Sequence, residues 1–121
     1  MAVRRPGLHG DKSMILVIAR VRAKRDCGPE LAALLAEMAQ EVRRESGVLR
    51  YEPFCSTADP ESFLMYEEYD SQAALDAHRA NPALGRYRDA LNLLLDGAPQ
   101  VQAYLPEEDV RQIADDADEE E

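Results

Sequence analysis

Hydrophobic and polar positions alternate over residues 14–24, where Val17, Ala19, Val21 and Ala23 share one parity. This period of two predicts a first strand. Cys27 to Glu30 then supply a turn and a proline suited to the first helical position, so a helix should begin at Pro29. The next apolar residues recur at the spacing of a single helix face: Leu31, Leu34, Leu35, Met38, Ala39 and Val42. Gly47 suits the left-handed residue that ends such a helix.

Two aromatic-rich, roughly alternating runs, residues 48–57 and 62–69, follow this helix. They are separated by Ala58-Asp59-Pro60-Glu61, whose turn chemistry predicts an antiparallel hairpin of strands two and three. Pro53 has no N–H for a ladder hydrogen bond, which predicts an edge position or a bulge for strand two.

Ser71 is a favourable N-cap for a second helix over residues 72–79, interrupted near Asn81-Pro82 and continued to Leu95. Residues 100–105 alternate again and predict a fourth strand. The order β-α-β-β-α-β predicts an α+β fold of the ferredoxin-like type, with an antiparallel sheet covered by helices on one face. A bare second face with large apolar side chains predicts a homodimer or a higher oligomer.

The chain has 121 residues, which is enough for one domain, assigned to residues 14–106. Residues 1–13 are predicted to be a disordered extension, and residues 107–121 an acidic, solvated C-terminal tail. An acidic segment that docks on a basic partner is the alternative for that tail. A net charge of −10 argues against nucleic acid as a partner.

The sequence predicts a cytoplasmic protein without a membrane segment. The longest apolar run is far shorter than the ~20 residues of a membrane span, and the N-terminus lacks the apolar segment of a secretory signal. Cys27 and Cys55 form no metal or redox motif at their spacing and are interpreted as reduced structural thiols.

Few residues of the sequence are candidates for catalysis or for binding a cofactor. No phosphate-binding glycine loop, zinc spacing or Ser/His/Asp order is present, so the sequence predicts no cofactor and no metal. His78, on the inward face of helix two, is the best candidate for proton transfer near neutral pH, although a half-buried structural histidine is the alternative. Glu67 on strand three is predicted either to orient His78 or to bond Arg20 or Arg88 as a structural pair.

Three stretches carry a resemblance to a known family: residues 45–52 (ESGVLRYE), 65–70 (MYEEYD) and 73–78 (AALDAH). In element order, in the E-x-G-x-x-x-Y opening of strand two and in the acidic-aromatic end of strand three before an AxxxH helix, the chain resembles the antibiotic biosynthesis monooxygenase family. That family includes quinol monooxygenases, and the resemblance spans roughly residues 14–106.

The resemblance implies a dimeric α/β barrel with a pocket between sheet and helices. It also implies oxygenation of phenolic, quinol or polyketide-like substrates without metal or flavin, since several members of the family do this. The family's helix histidine corresponds to His78, its strand-three glutamate to Glu67, its strand-two tyrosine to Tyr51, and the aromatic residue that ends strand three to Tyr69. Met65 stands where some biosynthetic members have asparagine. Haem-degrading relatives need a histidine on the last helix, where this chain has Tyr87 and Arg88.

From these residues we expect a cofactor-independent monooxygenase in which His78 removes a phenolic proton and the resulting anion reduces O₂. Tyr69, Met65 and Tyr51 are predicted to shape the substrate pocket, with Glu67 or Arg88 orienting the substrate or the base. A non-catalytic or stress-response dimer that binds a small aromatic ligand is the first alternative. An isomerase of a small oxygenated metabolite, with His78 shuttling the proton, is the second.

Overall fold

The computed structural model describes residues 13–119, with side chains through residue 117. The strands are β1 (Ile15–Arg22), β2 (Val48–Cys55), β3 (Ser62–Tyr69) and β4 (Gln100–Tyr104). The helices are α1 (Gly28–Val42), α2 (Gln72–Arg79), a 3₁₀ turn (Pro82–Leu84), α3 (Gly85–Leu94) and α4 (Glu107–Glu119). Up to β4 this order confirms the predicted ferredoxin-like β-α-β-β-α-β arrangement, with each boundary within a few residues of its prediction.

The four strands form one antiparallel sheet in the order β2-β3-β1-β4. β2 pairs only with β3 and is therefore an edge strand, as Pro53 predicted. A register shift between Val48 and Arg50 marks an irregularity at the start of β2, several residues before that proline.

One face of the sheet is buried under the helices, and the period of two decides which side chains lie there. On β3 these are Phe63, Met65, Glu67 and Tyr69, which pair with Val21, Ala19, Val17 and Ile15 of β1; all eight are buried. The predicted stripe of α1 packs on this face, and α2 buries Ala74, Leu75 and His78. The inward orientation predicted for His78 is confirmed.

The turn between α1 and β2 depends on one glycine. Gly47 has a φ of +86°, a left-handed conformation that residues with a Cβ rarely adopt. A Cβ built there would lie 2.5 Å from the Cβ of Ala74, so the turn packs directly on the first turn of α2. This close approach brings the residues just before Gly47 next to α2.

The second helix starts and stops at polar side chains. Ser71 Oγ accepts a hydrogen bond from the Ala74 N–H at 3.1 Å, which confirms the predicted N-cap. After Arg79 the helix breaks, and Asn81 Oδ1 accepts from the Ala83 N–H at 2.9 Å to begin the 3₁₀ turn. The predicted interruption at Asn81-Pro82 is thus confirmed.

The second face of the sheet carries apolar side chains that the chain leaves partly exposed. Leu16, Ile18, Leu64 and Tyr66 are half-buried, and Phe54 is 50% exposed. A monomer would leave this surface in contact with water.

The C-terminal segment forms a helix. The sequence predicted an acidic, solvated tail over residues 107–121, and residues 107–119 form helix α4, most of whose described side chains are exposed. Acidic side chains in its first turn favour the positive end of the helix dipole, and two pairs four residues apart, Arg111 with Glu107 and Gln112 with Asp116, stabilise it further. The predicted N-terminal extension falls almost wholly outside the described residues. Within residues 13–119, no helix is long and apolar enough to cross a membrane.

Candidate active site

A cavity of about 430 Å³ lies between the helix-covered face of the sheet and helices α1 and α3. Its wall is mainly apolar, with side chains from Leu35, Met38, Met65, Leu91, Leu95 and Val101. Polar groups enter it from Tyr51, Glu67, Arg88 and Asn92. A space of this size and composition suits a small, largely apolar ligand with a few polar substituents.

Glu67 is the carboxylic acid in this wall. It lies on the central strand β3, opposite Val17 of β1 and Tyr51 of β2, and is only 5% exposed. Burial disfavours the charged form and raises the pKa of Glu67 to about 7, although the Tyr69 hydroxyl acts in the opposite direction. Near neutral pH the carboxyl therefore divides between its protonated and ionised forms.

The partner of Glu67 is Tyr69, two residues along the same strand face. The Tyr69 hydroxyl donates to Glu67 Oε1 at 2.6 Å. Neither partnership expected from the sequence, with His78 or with Arg20 or Arg88, is present among the hydrogen bonds and ion pairs of residues 13–117. Tyr69 is closer along the strand face, and its hydroxyl satisfies the buried carboxylate.

Both tyrosines near Glu67 keep their protons. Burial is the first cause that raises the pKa of Tyr51 and of Tyr69, and the nearby Glu67 carboxylate adds to it. Within the described residues the Tyr51 hydroxyl has no hydrogen-bond partner of its own. Because Tyr51 lines the cavity, this hydroxyl is available as a donor to a ligand.

His78 lies behind the cavity wall rather than in it. Its ring centroid is 5.6 Å from that of Tyr51 and 5.5 Å from that of Tyr69. Burial lowers the pKa of His78, and the nearby Glu45 opposes this shift without reversing it. The neutral form of the imidazole is therefore favoured.

Glu45 is the carboxylate that contacts His78. His78 Nδ1 lies 3.0 Å from Glu45 Oε1, and Asn81 Nδ2 donates to Glu45 Oε2 at 2.9 Å. Glu45 reaches this position from the turn that Gly47 closes. Neither Glu45 nor Asn81 was predicted to be a site residue, although Glu45 is the first residue of the E-x-G-x-x-x-Y motif.

Arg88 connects the cavity to the end of α2. Its guanidinium donates to the His78 carbonyl at 3.1 Å and to the Asn81 carbonyl at 3.4 Å. These bonds satisfy carbonyls at the C-terminal end of α2 and hold Arg88 in the cavity wall.

The six predicted site residues thus divide into two groups. Glu67, Tyr51, Met65 and Arg88 line the cavity. His78 and Tyr69 form a layer behind Tyr51 and Glu67, and Tyr69 is fully buried. Among the described residues, no group of three His, Cys, Asp or Glu side chains is placed to hold a metal ion. The absence of a cofactor stays a prediction.

Comparison with known proteins decides the family. Residues 14–90 match the model of the antibiotic biosynthesis monooxygenase family. The chain belongs to this family. The match includes β1 to β3, α1, α2 and the first part of α3. It therefore covers Tyr51, Glu67 and Arg88, whereas the cavity residues from Leu91 onward lie beyond it.

Relatives of this monooxygenase family come from several bacteria. The Mycobacterium tuberculosis protein named "Putative monooxygenase Rv0793" is 34% identical over 94 residues, which cover 78% of this chain and 92% of that protein. Its solved structure superposes with a TM-score of 0.71, over 78% of this chain and 95% of that one. Protein SO0527 from Shewanella oneidensis, 28% identical, gives a TM-score of 0.72 and covers 79% of this chain and 93% of its own. The name of the Mycobacterium tuberculosis protein supports an oxygenase-type protein and leaves the substrate open.

The raised pKa of Glu67 predicts a pH-dependent stability. The pKa of this carboxyl is near 4.5 in the unfolded chain and about 7 in the folded chain. Its contribution to the free energy of unfolding is therefore complete below pH 4.5 and is lost as the pH rises through about 7. Glu67→Gln does not titrate. We therefore expect the free energy of unfolding of the wild type to fall by about 3 kcal/mol relative to Glu67→Gln across this window, measured by urea unfolding at a series of pH values.

Two further variants control this measurement. Glu30→Gln removes one negative charge from the exposed surface of α1. It shows how much of the effect of Glu67→Gln comes from the change in net charge alone. Tyr69→Phe removes the hydroxyl that lowers the pKa of Glu67, so the pKa should rise further in this variant. The pH-dependent fall in the free energy of unfolding should then extend to higher pH than in the wild type. Parallel pH profiles for the wild type and Glu67→Gln would contradict the assignment.

Proposed function

We propose that this protein is a cofactor-independent monooxygenase that oxidises small phenolic or quinol-type aromatic substrates in the cavity between sheet and helices. The observation that carries this proposal is the position of Glu67, a carboxyl with a pKa of about 7 in the wall of an otherwise apolar cavity. Membership of a monooxygenase family supports the same reaction class.

The cavity matches the size and polarity of such substrates. A volume of about 430 Å³ lies within the usual range for small-molecule pockets and is large enough for a compound of two or three fused aromatic rings. Met65, Met38 and Leu91 provide apolar surface for the rings. The Tyr51 hydroxyl and the Arg88 guanidinium provide donors for phenolic or carbonyl oxygens.

The chemistry requires two proton acceptors, and one of them, Glu67, lies in the cavity wall. A general base acts best when its pKa is near the working pH, which is the state of Glu67. His78 lies behind the wall against Tyr51, and its lowered pKa favours an unprotonated ring nitrogen, so it can accept a second proton that passes the Tyr51 side chain. We therefore assign Glu67 and His78 the acid–base work, with Glu67 nearest to the substrate.

The reaction balances without a further reductant. Removal of the first proton leaves a carbanion or phenolate that transfers electrons to O₂, and a carbon–oxygen bond forms to give a hydroperoxide. Removal of the second proton from that carbon breaks the O–O bond, which leaves a carbonyl on the substrate and releases water. The substrate supplies all four electrons, and one oxygen atom enters the product.

Oxygen consumption tests this proposal. With a panel of quinols and anthrone-type phenols, metal-stripped wild type should consume one O₂ for each substrate oxidised. Glu67→Gln and His78→Ala should each lower kcat by about 10²–10⁴-fold, since they remove a proton acceptor. Glu30→Gln makes the same chemical change as Glu67→Gln on the exposed surface of α1, outside the cavity wall, and its kcat should stay within a few-fold of the wild type.

Other outcomes identify the rivals. Substrate turnover without O₂ consumption would indicate an isomerase. Tight binding of a phenol with no turnover would indicate a ligand-binding dimer. Unchanged kcat values in both Glu67→Gln and His78→Ala would remove these residues from the mechanism.

We also propose that two copies pair through the second face of the sheet and form a dimeric α/β barrel. The partly exposed side chains of Leu16, Ile18, Leu64 and Tyr66 support this, because a second copy would remove them from water.

Light scattering tests the dimer. The wild type should have the mass of two chains, or a multiple of it, at micromolar concentration. Leu64→Asp places a charge in the proposed interface and should shift the protein to monomer, because burial of an unpaired carboxylate is costly. Leu93→Asp, at an exposed position of α3, is the matched control and should leave the mass unchanged. A monomeric wild type would contradict the proposal.

A further inference from the structure

The contacts of Glu45 suggest a role beyond simple packing. Its carboxylate is mostly buried, with the side chain 14% exposed, and lies between His78 on α2 and Asn81 just beyond the end of that helix. A hydrogen bond to one nitrogen of a neutral histidine fixes which nitrogen carries the proton. An ionised carboxylate can only accept, so His78 Nδ1 must be the donor.

The other nitrogen is then unprotonated. His78 Nε2 has no hydrogen-bond partner among the side chains and backbone groups of residues 13–117. The imidazole ring contacts the rings of both Tyr51, which lines the cavity, and Tyr69. Nε2 is therefore the nitrogen that can accept a proton.

We propose that Glu45 is a positioning residue that holds His78 in the Nδ1–H tautomer and thereby makes Nε2 the proton acceptor. The tautomer itself is a property of the resting protein. Its consequence for catalysis rests on the proposed function, in which His78 takes a proton from the substrate.

Asn81 determines what a substitution at Glu45 would do. Asn81 Oδ1 accepts from the Ala83 N–H, so the amide orientation is fixed and Nδ2 must face the side chain at position 45. In Glu45→Gln, the single amide oxygen would accept from Asn81 and the amide NH₂ would face His78. That NH₂ would donate to Nδ1, so the variant should change His78 to the Nε2–H tautomer.

A second substitution should reverse this change. In the double variant Glu45→Gln with Asn81→Asp, the new carboxylate keeps the cap on Ala83 and accepts from the amide NH₂ introduced at position 45. The oxygen of that introduced amide then faces His78 and again accepts from Nδ1–H. This pair keeps the net charge of the wild type and nearly the same shape.

Nitrogen-15 NMR of the His78 ring, recorded above its pKa on the resting protein, tests the tautomer directly. We expect Nδ1–H in the wild type, Nε2–H in Glu45→Gln, and Nδ1–H again in the double variant. In Glu45→Gln the His78 ring should also titrate at lower pH, because the carboxylate that raises its pKa is lost. Glu41→Gln, a change to a nearby acid of α1 that pairs with Arg44, should leave the His78 spectrum unchanged.

Activity gives a separate readout. If the oxygenase proposal holds, kcat should fall by about a hundredfold in Glu45→Gln and recover at least tenfold in the double variant. An Nε2–H tautomer in the wild type, or the same tautomer in the wild type and Glu45→Gln, would overturn the role of Glu45. The wild-type spectrum decides this even if Glu45→Gln does not fold. The expected spectra with no O₂ uptake by any protein would support the role of Glu45 and contradict the proposed function instead.

Discussion

The burial of a carboxyl group on the central strand β3 is the constraint on which the candidate site depends. Side chains of a strand alternate between the two faces of the sheet. The alternation that places Phe63 and Met65 in the core therefore also places Glu67 there. A charge in such a position is costly unless it is satisfied. The chain meets this cost in two ways, through the hydrogen bond from Tyr69 and through a pKa near 7 that allows the carboxyl to be neutral.

The side chains behind Glu67 are also mainly neutral or paired with a polar partner. Tyr51 and Tyr69 keep their hydroxyl protons, the neutral form of His78 is favoured, and Glu45 faces that ring from the turn after α1. Arg88 ties the end of α2 to the cavity wall through two backbone carbonyls. The site therefore combines a carboxyl with a pKa near 7 and a mainly apolar wall, which suits the proposed proton removal from a substrate.

The sequence predicted the parts of this site that depend on local periodicity. The period of two placed Glu67 and Tyr69 on one face of β3, and the helical spacing of Ala74, Leu75 and His78 predicted that His78 points inward. The partners across the fold were not predictable in this way. Glu45 is 33 residues from His78 along the chain, and their contact depends on the left-handed Gly47 and its packing on Ala74.

Two other differences have local causes. The sequence predicted a partner for Glu67 on another element of the fold. Instead, the Tyr69 hydroxyl, two residues along the same strand, donates the hydrogen bond that satisfies the carboxylate. Residues 107–119 were predicted to be part of a tail because of their acidic composition, yet acids in the first turn favour a helix, as in α4. Composition alone does not show which acids lie at a helix start.

A carbon-13 NMR titration of the Glu67 side-chain carboxyl shows whether this group accepts a proton near pH 7. The resonance can be assigned by its absence in Glu67→Gln. We expect a midpoint near pH 7, because burial opposes ionisation in the apolar wall. A midpoint near 4.5, the ordinary value for glutamate, would show a solvated carboxylate and contradict the assignment of Glu67 as the proton acceptor at the cavity.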